Sequence, residues 1–165
     1  MSADDMRAVG DDFQIRGLRE ADLDRVTELG MELSQAPHWP RSVYEAVLDP
    51  NSPLRLALVA EDVATGRLVA FAVAVVLAPE AELESIAVVS SRQRHGLGRR
   101  LMAALMEELK RAEVRELMLE VRESNLAAIE FYRSLGFAET GRRARYYADP
   151  VEDAVLMKQW LGVSG

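Results

Sequence analysis

Apolar residues recur every fourth position at Leu97, Leu101, Leu105 and Leu109, with Ala104 filling the same face, and this period predicts an amphipathic helix ending near Arg111. The stretch leading into it is patterned differently. Residues 82–89 are strand-like, and the polar turn that follows carries Gly96 and Gly98 one residue apart. Upstream, 13–16 alternates as a short strand, and 20–33 keeps a helical period through Leu23, Val26, Leu29 and Leu33. Pro37 and Pro40 cannot continue that helix. Ser42 is placed to cap a short second helix reaching Leu48, before a turn at 49–53. Residues 55–60 and 68–77 predict two strands joined at Ala64-Thr65-Gly66, where Val69, Val73, Val75 and Val76 favour strand over helix. After the central helix come a strand at 116–122, a helix at 124–135 and strands at 137–143 and 154–160. The order β-α-α-β-β-β-α-β-α-β-β is that of an α/β protein with one mixed sheet and helices on both faces.

A chain of 165 residues can bury a proper core, and we expect one domain at 13–165 behind a frayed acidic tail at 1–12. The tail has no apolar centre and is expected to be neither signal peptide nor anchor. The most apolar run, 68–78, is too short to span a bilayer as a helix, so the expected location is cytoplasmic, with no membrane partner. A formal net charge of −7 argues against a general polyanion binder. The absence of cysteine excludes disulfides and a cysteine-bound acyl intermediate, and two histidines, His38 and His95, are too few for a histidine-rich centre; no metal is expected.

The glycine turn is the strongest chemical signal. Glycine lets backbone approach a ligand closely, and the first N–H groups of the following helix lack intrahelical partners and carry the positive end of its dipole. Arg94, Arg99 and Arg100 add full charges, so the turn reads as a pyrophosphate cradle. Its spacing fits neither the dinucleotide fingerprint nor the P-loop.

Gln93-x-x-Gly96-x-Gly98 resembles instead the acetyl-CoA loop of the GNAT superfamily of N-acetyltransferases. Further on, Leu119-Glu120-Val121-Arg122, Ser124-Asn125, Ala127-Ala128-Ile129, Tyr132 and Leu135-Gly136-Phe137 are similar to the RimI-type ribosomal-protein-alanine N-acetyltransferases, as are Arg142-Arg143, Tyr146-Tyr147 and Glu152-Asp153-Ala154 with Met157. The resemblance runs from Phe13 to Trp160. It implies the GNAT acyl-CoA N-acyltransferase fold, with a mixed, mostly antiparallel sheet, and acetyl-CoA as cosubstrate. The implied acceptor is the N-terminal α-amine of a protein or peptide, as on a ribosomal protein, and the implied state is monomer or homodimer. The chain departs from the pattern at 148–151 and, in part, at 36–39, both on the acceptor side.

By the same resemblance, Arg94, His95, Gly96, Leu97, Gly98 and Arg99 would hold the cofactor pyrophosphate, while Ile86, Ala87 and Val88 would offer backbone groups to the pantetheine arm. The Val88 N–H would meet the acetyl carbonyl. Asn125 would bond the cofactor; read from its position alone, it is a helix cap.

Acetyl transfer needs a neutral amine, a proton acceptor and a donor for the departing thiolate. An α-amine, with pKa about 7.7–8.0, is easier to deprotonate than lysine near 10.4. Glu120 interrupts the apolar run 117–121, where a charge needs a partner, water or a function. It is either a solvated strand-end side chain or the base, and the resemblance implies the base. Tyr132 shares a helix face with Ile129 and Leu135; it is either a core tyrosine or, by resemblance, the acid. Glu82 and Glu84 are rival bases, Glu84 the stronger, and otherwise two exposed side chains on one face of a strand.

Three alternatives stay open. The acceptor could be lysine, a polyamine or another small amine, decided by the groove that 37–39 and 142–147 would form. A non-catalytic CoA-binding module, or one binding RNA through Arg92, Arg94, Arg99 and Arg100, would also use the basic turn. The acidic net charge and lack of a basic-aromatic stretch argue against nucleic acid.

Overall fold

A computed structural model describes residues 12–33, 38–51, 55–89, 91 and 96–162. Strand β1 (Phe13–Gly17) leads through a 3-10 turn at Glu20–Asp22 into α1 (Leu23–Glu32) and α2 (Arg41–Val47). Three strands follow, β2 (Arg55–Asp62), β3 (Leu68–Leu77) and β4 (Glu80–Val88), then α3 (Leu97–Arg111), β5 (Glu116–Arg122), α4 (Leu126–Ser134), β6 (Ala138–Tyr147) and β7 (Glu152–Trp160). The order is the one predicted from the hydrophobic pattern.

Several boundaries differ by a few residues, and three of them have a clear local reason. Ser42 lies inside α2 and caps nothing; Pro40 is the N-cap, and its carbonyl accepts the Val43 N–H at 3.0 Å. Asn125 caps α4 through Oδ1, which accepts the Ala128 N–H at 3.2 Å, so the helix starts after it. β6 runs on past 143, because its pairing with β7 resumes at Tyr147↔Glu152 beyond an irregularity where Arg145 takes φ +52.

All seven strands form one sheet in the order β1-β2-β3-β4-β5-β7-β6. Only β4 and β5 run parallel, and their ladder covers no more than Glu80–Glu82 against Glu116–Met118. On its other edge β4 carries a bulge: Leu83 faces Ala74 and Ser85 faces Val73, leaving Glu84 as the extra residue.

Helices cover both faces, and β3, buried almost throughout, is hydrophobic on both sides as a doubly covered strand must be. Ala70, Ala72, Ala74 and Val76 pack toward Leu101, Met102, Leu105 and Leu109 of α3, in a core that continues through Leu119 and Val121 to Ile129 and Tyr132 of α4. Phe71 and Val73 pack the other way, against Leu23, Val26 and Leu29 of α1 and Tyr44 of α2. Among the described residues this second core draws its buried side chains from β2, β3 and β4 and none from β5, β6 or β7. The α3/α4 face is therefore covered as far as β7, leaving the edge strand β6 exposed, and the other face only over β2, β3 and β4. No helix among the described residues is long and apolar enough to cross a membrane.

Candidate active site

Alternation along β5 sorts its side chains. Leu117, Leu119 and Val121 point into the α3/α4 core, and Met118, Glu120 and Arg122 point to the half-covered face. Glu120 stands two residues past the last rung of the β4–β5 ladder, where the strands no longer bond to each other. Its side chain is 16% exposed, and Arg143 Nε of β6 lies 3.4 Å from Oε1. The Tyr146 hydroxyl faces the same carboxylate, whose hydrogen bonding and negative charge hold the phenol above its ordinary value. Glu82 completes the group from β4: burial, then the charges of Glu120 and Glu84, raise its carboxyl, with Arg143 pulling the other way.

Glu84 is differently placed. The bulge turns it toward Arg55, which donates from Nε at 2.7 Å and from Nη2 at 3.3 Å. A carboxylate gripped by a two-pronged guanidinium is a poor proton acceptor. This weighs against the stronger of the two rival bases.

Tyr132 lies across β5, in the α3/α4 core, and is 8% exposed. Phe131 and Phe137 stand around it with ring centroids at 5.4 and 5.6 Å. Burial, then the nearby Tyr147, push its phenol up to about 12. The group stays protonated at any pH the protein would meet and so can offer a hydrogen bond to a departing thiolate. Handing over the proton outright would be uphill, because a thiol of pKa about 8.5 is far more acidic than this phenol.

The glycine turn splits into two roles. Gly96 is the N-cap of α3 and takes φ +76, a conformation open mainly to glycine. Gly98 lies against α4, but a Cβ there would stand 3.4 Å from Phe131 Cζ and 3.9 Å from Val88 Cγ2, ordinary contact distances, so packing alone does not demand glycine. Leu97 is buried in the core at 1% exposure, so only its backbone faces the turn. Arg99 donates to Ser134 Oγ at 2.6 Å. Arg94 and His95, with Arg92 and Gln93, lie outside the described residues. Ile86, Ala87 and Val88 pair with β3 on one edge and stand beyond the end of the β5 ladder on the other. The Asn125 side chain is engaged in the α4 cap.

Sequence reasoning missed a brace. The Arg122 guanidinium lies 4.4 Å from the Tyr147 ring centre, pairs with Glu152 at 3.2 Å, and donates to the carbonyls of Ala148 and Pro150. Glu152 also accepts the Ser124 N–H. The β6–β7 turn is thereby tied to β5 and to the start of α4. Val-Arg-x-Ser with a glutamate some thirty residues on carries no spacing signal, because strand pairing brings them together.

A family model described as the acetyltransferase (GNAT) family matches residues 21–137. The chain belongs to this family. Among its relatives, the [ribosomal protein bS18]-alanine N-acetyltransferase of Escherichia coli (strain K12) is 49% identical over 94 residues, 56% of this chain and 64% of that protein. The aligned part thus spans less than two thirds of that relative. A Bacillus subtilis (strain 168) protein is 30% identical over 150 residues, 91% of this chain and 95% of its own. The crystal structure of the ribosomal-protein-S18-alanine N-acetyltransferase from Escherichia coli superposes with TM-score 0.80 at 35% identity, over 93% of this chain and 96% of that one.

GNAT enzymes use acetyl-CoA as acyl donor. Two features of this chain suit it: the β4–β5 ladder ends after Glu82 and Met118, leaving Ile86, Ala87 and Val88 unpaired with β5, and α3 opens on a left-handed glycine ahead of its first N–H groups.

Proposed function

We propose that the chain transfers acetyl from acetyl-CoA to the N-terminal α-amine of a protein, in the manner named for its ribosomal-protein-alanine relatives. The observation that carries this reading is the position of Glu120 just past the last β4–β5 rung, open to one face, with the buried Tyr132 phenol on the other. Acetyl-CoA supplies the activated thioester. Backbone at Ile86, Ala87 and Val88, with Gly96, Leu97, Gly98 and Arg99, would hold it. Glu120 takes the amine proton, through water, from the half-covered face. Tyr132 Oη donates toward the leaving sulfur from the core side. Because an α-amine is partly neutral near pH 7, a carboxylate partnered by Arg143 is base enough, whereas a lysine acceptor would demand more.

The test is acetyl-CoA-dependent release of CoA with a panel of amines: alanine-started peptides with free N-termini, the same peptides blocked and carrying an internal lysine, and spermidine. Turnover is expected for the free N-termini. Equal or faster turnover of blocked peptides or of spermidine would sink the α-amine assignment while leaving the transferase intact.

A further inference from the structure

The face that carries Glu120 continues, bare, toward the far end of the sheet. Strand register sets Leu77, Glu80, Glu116 and Trp160 in one row across β3, β4, β5 and β7. Residues two apart on a strand share a face, so Glu116 and Glu120 look the same way, about 13 Å apart along β5. Neither α1 nor α2 reaches this area, and the row ends in two large apolar side chains in water: Trp160 is 63% exposed and Leu77 71%. Between them the charge is mostly negative. Glu116 pairs with Lys158 at 3.2 Å, while among the described residues no cation lies within ion-pair distance of Glu80 or Glu82, although the charge of Arg143 is felt by Glu82.

We propose that this row is an exosite for the acceptor chain itself, holding a basic, extended segment that begins about four residues behind the reacting N-terminus. The inference rests on the α-amine reading above, because it is the acceptor entering at Glu120 that would run along β5. Two observations select this occupant. The row is continuous with the acceptor side of the active site, and its surplus of carboxylates suits lysine and arginine, with Trp160 and Leu77 offering apolar cover for their stems. An aromatic in the same row as carboxylates also favours guanidinium, which stacks while it pairs.

Steady-state kinetics with an alanine-started tripeptide and an alanine-started dodecapeptide, basic from position five onward, tests the exosite. For the unaltered protein KM should be about tenfold lower for the longer peptide at similar kcat, an effect in the range of a few surface contacts. In the double variant Trp160→Ala, Glu80→Lys that advantage should vanish and the tripeptide should be acetylated as before. Equal KM for both peptides in the unaltered protein, or a variant that slows both peptides alike, overturns the proposal. A second readout does not depend on turnover. In a Trp39→Phe background Trp160 is the remaining tryptophan, and its fluorescence should respond to the dodecapeptide with its N-terminus already acetylated, more weakly as salt is raised. No response overturns the exosite even if the tripeptide is a good substrate. A response without α-amine turnover supports the exosite and removes the acceptor assignment instead.

Discussion

The two sides of β5 are built from opposite materials. On the α3/α4 side, Tyr132 sits among Phe131, Phe137, Leu119 and Val121, almost out of contact with water. On the other side, Glu120 shares a half-wet surface with Glu82, Arg143 and Tyr146. One strand with a two-residue period supplies both environments. A group that must keep its proton is best served by low dielectric, and one that must stay ionised by counter-charge and water. The contrast is the physical content of the proposed division of labour, and it can be broken from either side.

The largest effect is expected from Tyr132→Phe, which removes the hydroxyl and leaves the ring packing. If Tyr132 is the donor, kcat should fall about 10³-fold, ~4 kcal/mol of barrier, with urea unfolding nearly unchanged. Loss of activity within a few fold would return Tyr132 to the role of a core tyrosine. Phe137→Ala attacks the same side through its walls. Phe137 is 3% exposed and packs edge-on to Tyr132, so its truncation should cost about 3 kcal/mol in urea unfolding. As water enters, the Tyr132 phenol should titrate below about 12, which ultraviolet difference spectra at alkaline pH can follow. An unmoved phenol would mean that burial is not what holds it up.

How much of this contrast could be read from the chain depends on whether local pattern or distant pairing creates it. The four-residue leucine period fixes α3 and its buried face, and alternation around Glu120 is visible in 117–121 as an acid within an apolar run. The neighbours of Glu120 are not visible. Arg143 and Tyr146 reach it because β6 pairs with β7 and β7 with β5, setting Gly141 opposite Leu156 and Leu156 opposite Glu120. Nothing in the spacing of residues 120, 143 and 146 encodes that register. Nor does the pattern show that Gly98 lies against Phe131 of α4, or that Glu84 is turned to Arg55 by a bulge. Both depend on contacts between elements, and a turn rich in glycine and arginine reads as ligand chemistry until the packing is seen. Asn125 shows the reverse: the plain reading as a helix cap is what the geometry contains.

Glu120→Gln tests the wet side. The variant should lose about 10²-fold in kcat/KM at pH 7, less than the tyrosine change, because an α-amine is already partly neutral there. The deficit should shrink as pH rises past 8, where the amine sheds its proton to solvent unaided. A deficit constant with pH would mean that Glu120 orders the acceptor and does not take its proton.

The smallest effect belongs to Glu82, and it decides whether the charged side is strained or balanced. Its carboxyl is raised above the ordinary 4.5 first by burial, then by Glu120 and Glu84, against the opposing pull of Arg143. A raised carboxyl means that the fold disfavours the anion, so this group costs stability once pH exceeds its unfolded pKa and costs nothing when protonated in both states. Glu82→Gln should therefore raise Tm slightly at pH 7 and leave it unchanged near pH 3.5. The gain should stay below the 2–8 °C that about 1 kcal/mol commands in domains of 60–250 residues, since the residue, though partly desolvated by its neighbours, still keeps more than a third of its surface in water and is screened. A fall in Tm at pH 7 would show that Arg143 satisfies Glu82 as well as Glu120. The open face would then be a neutralised surface, with less charge left to attract a basic acceptor.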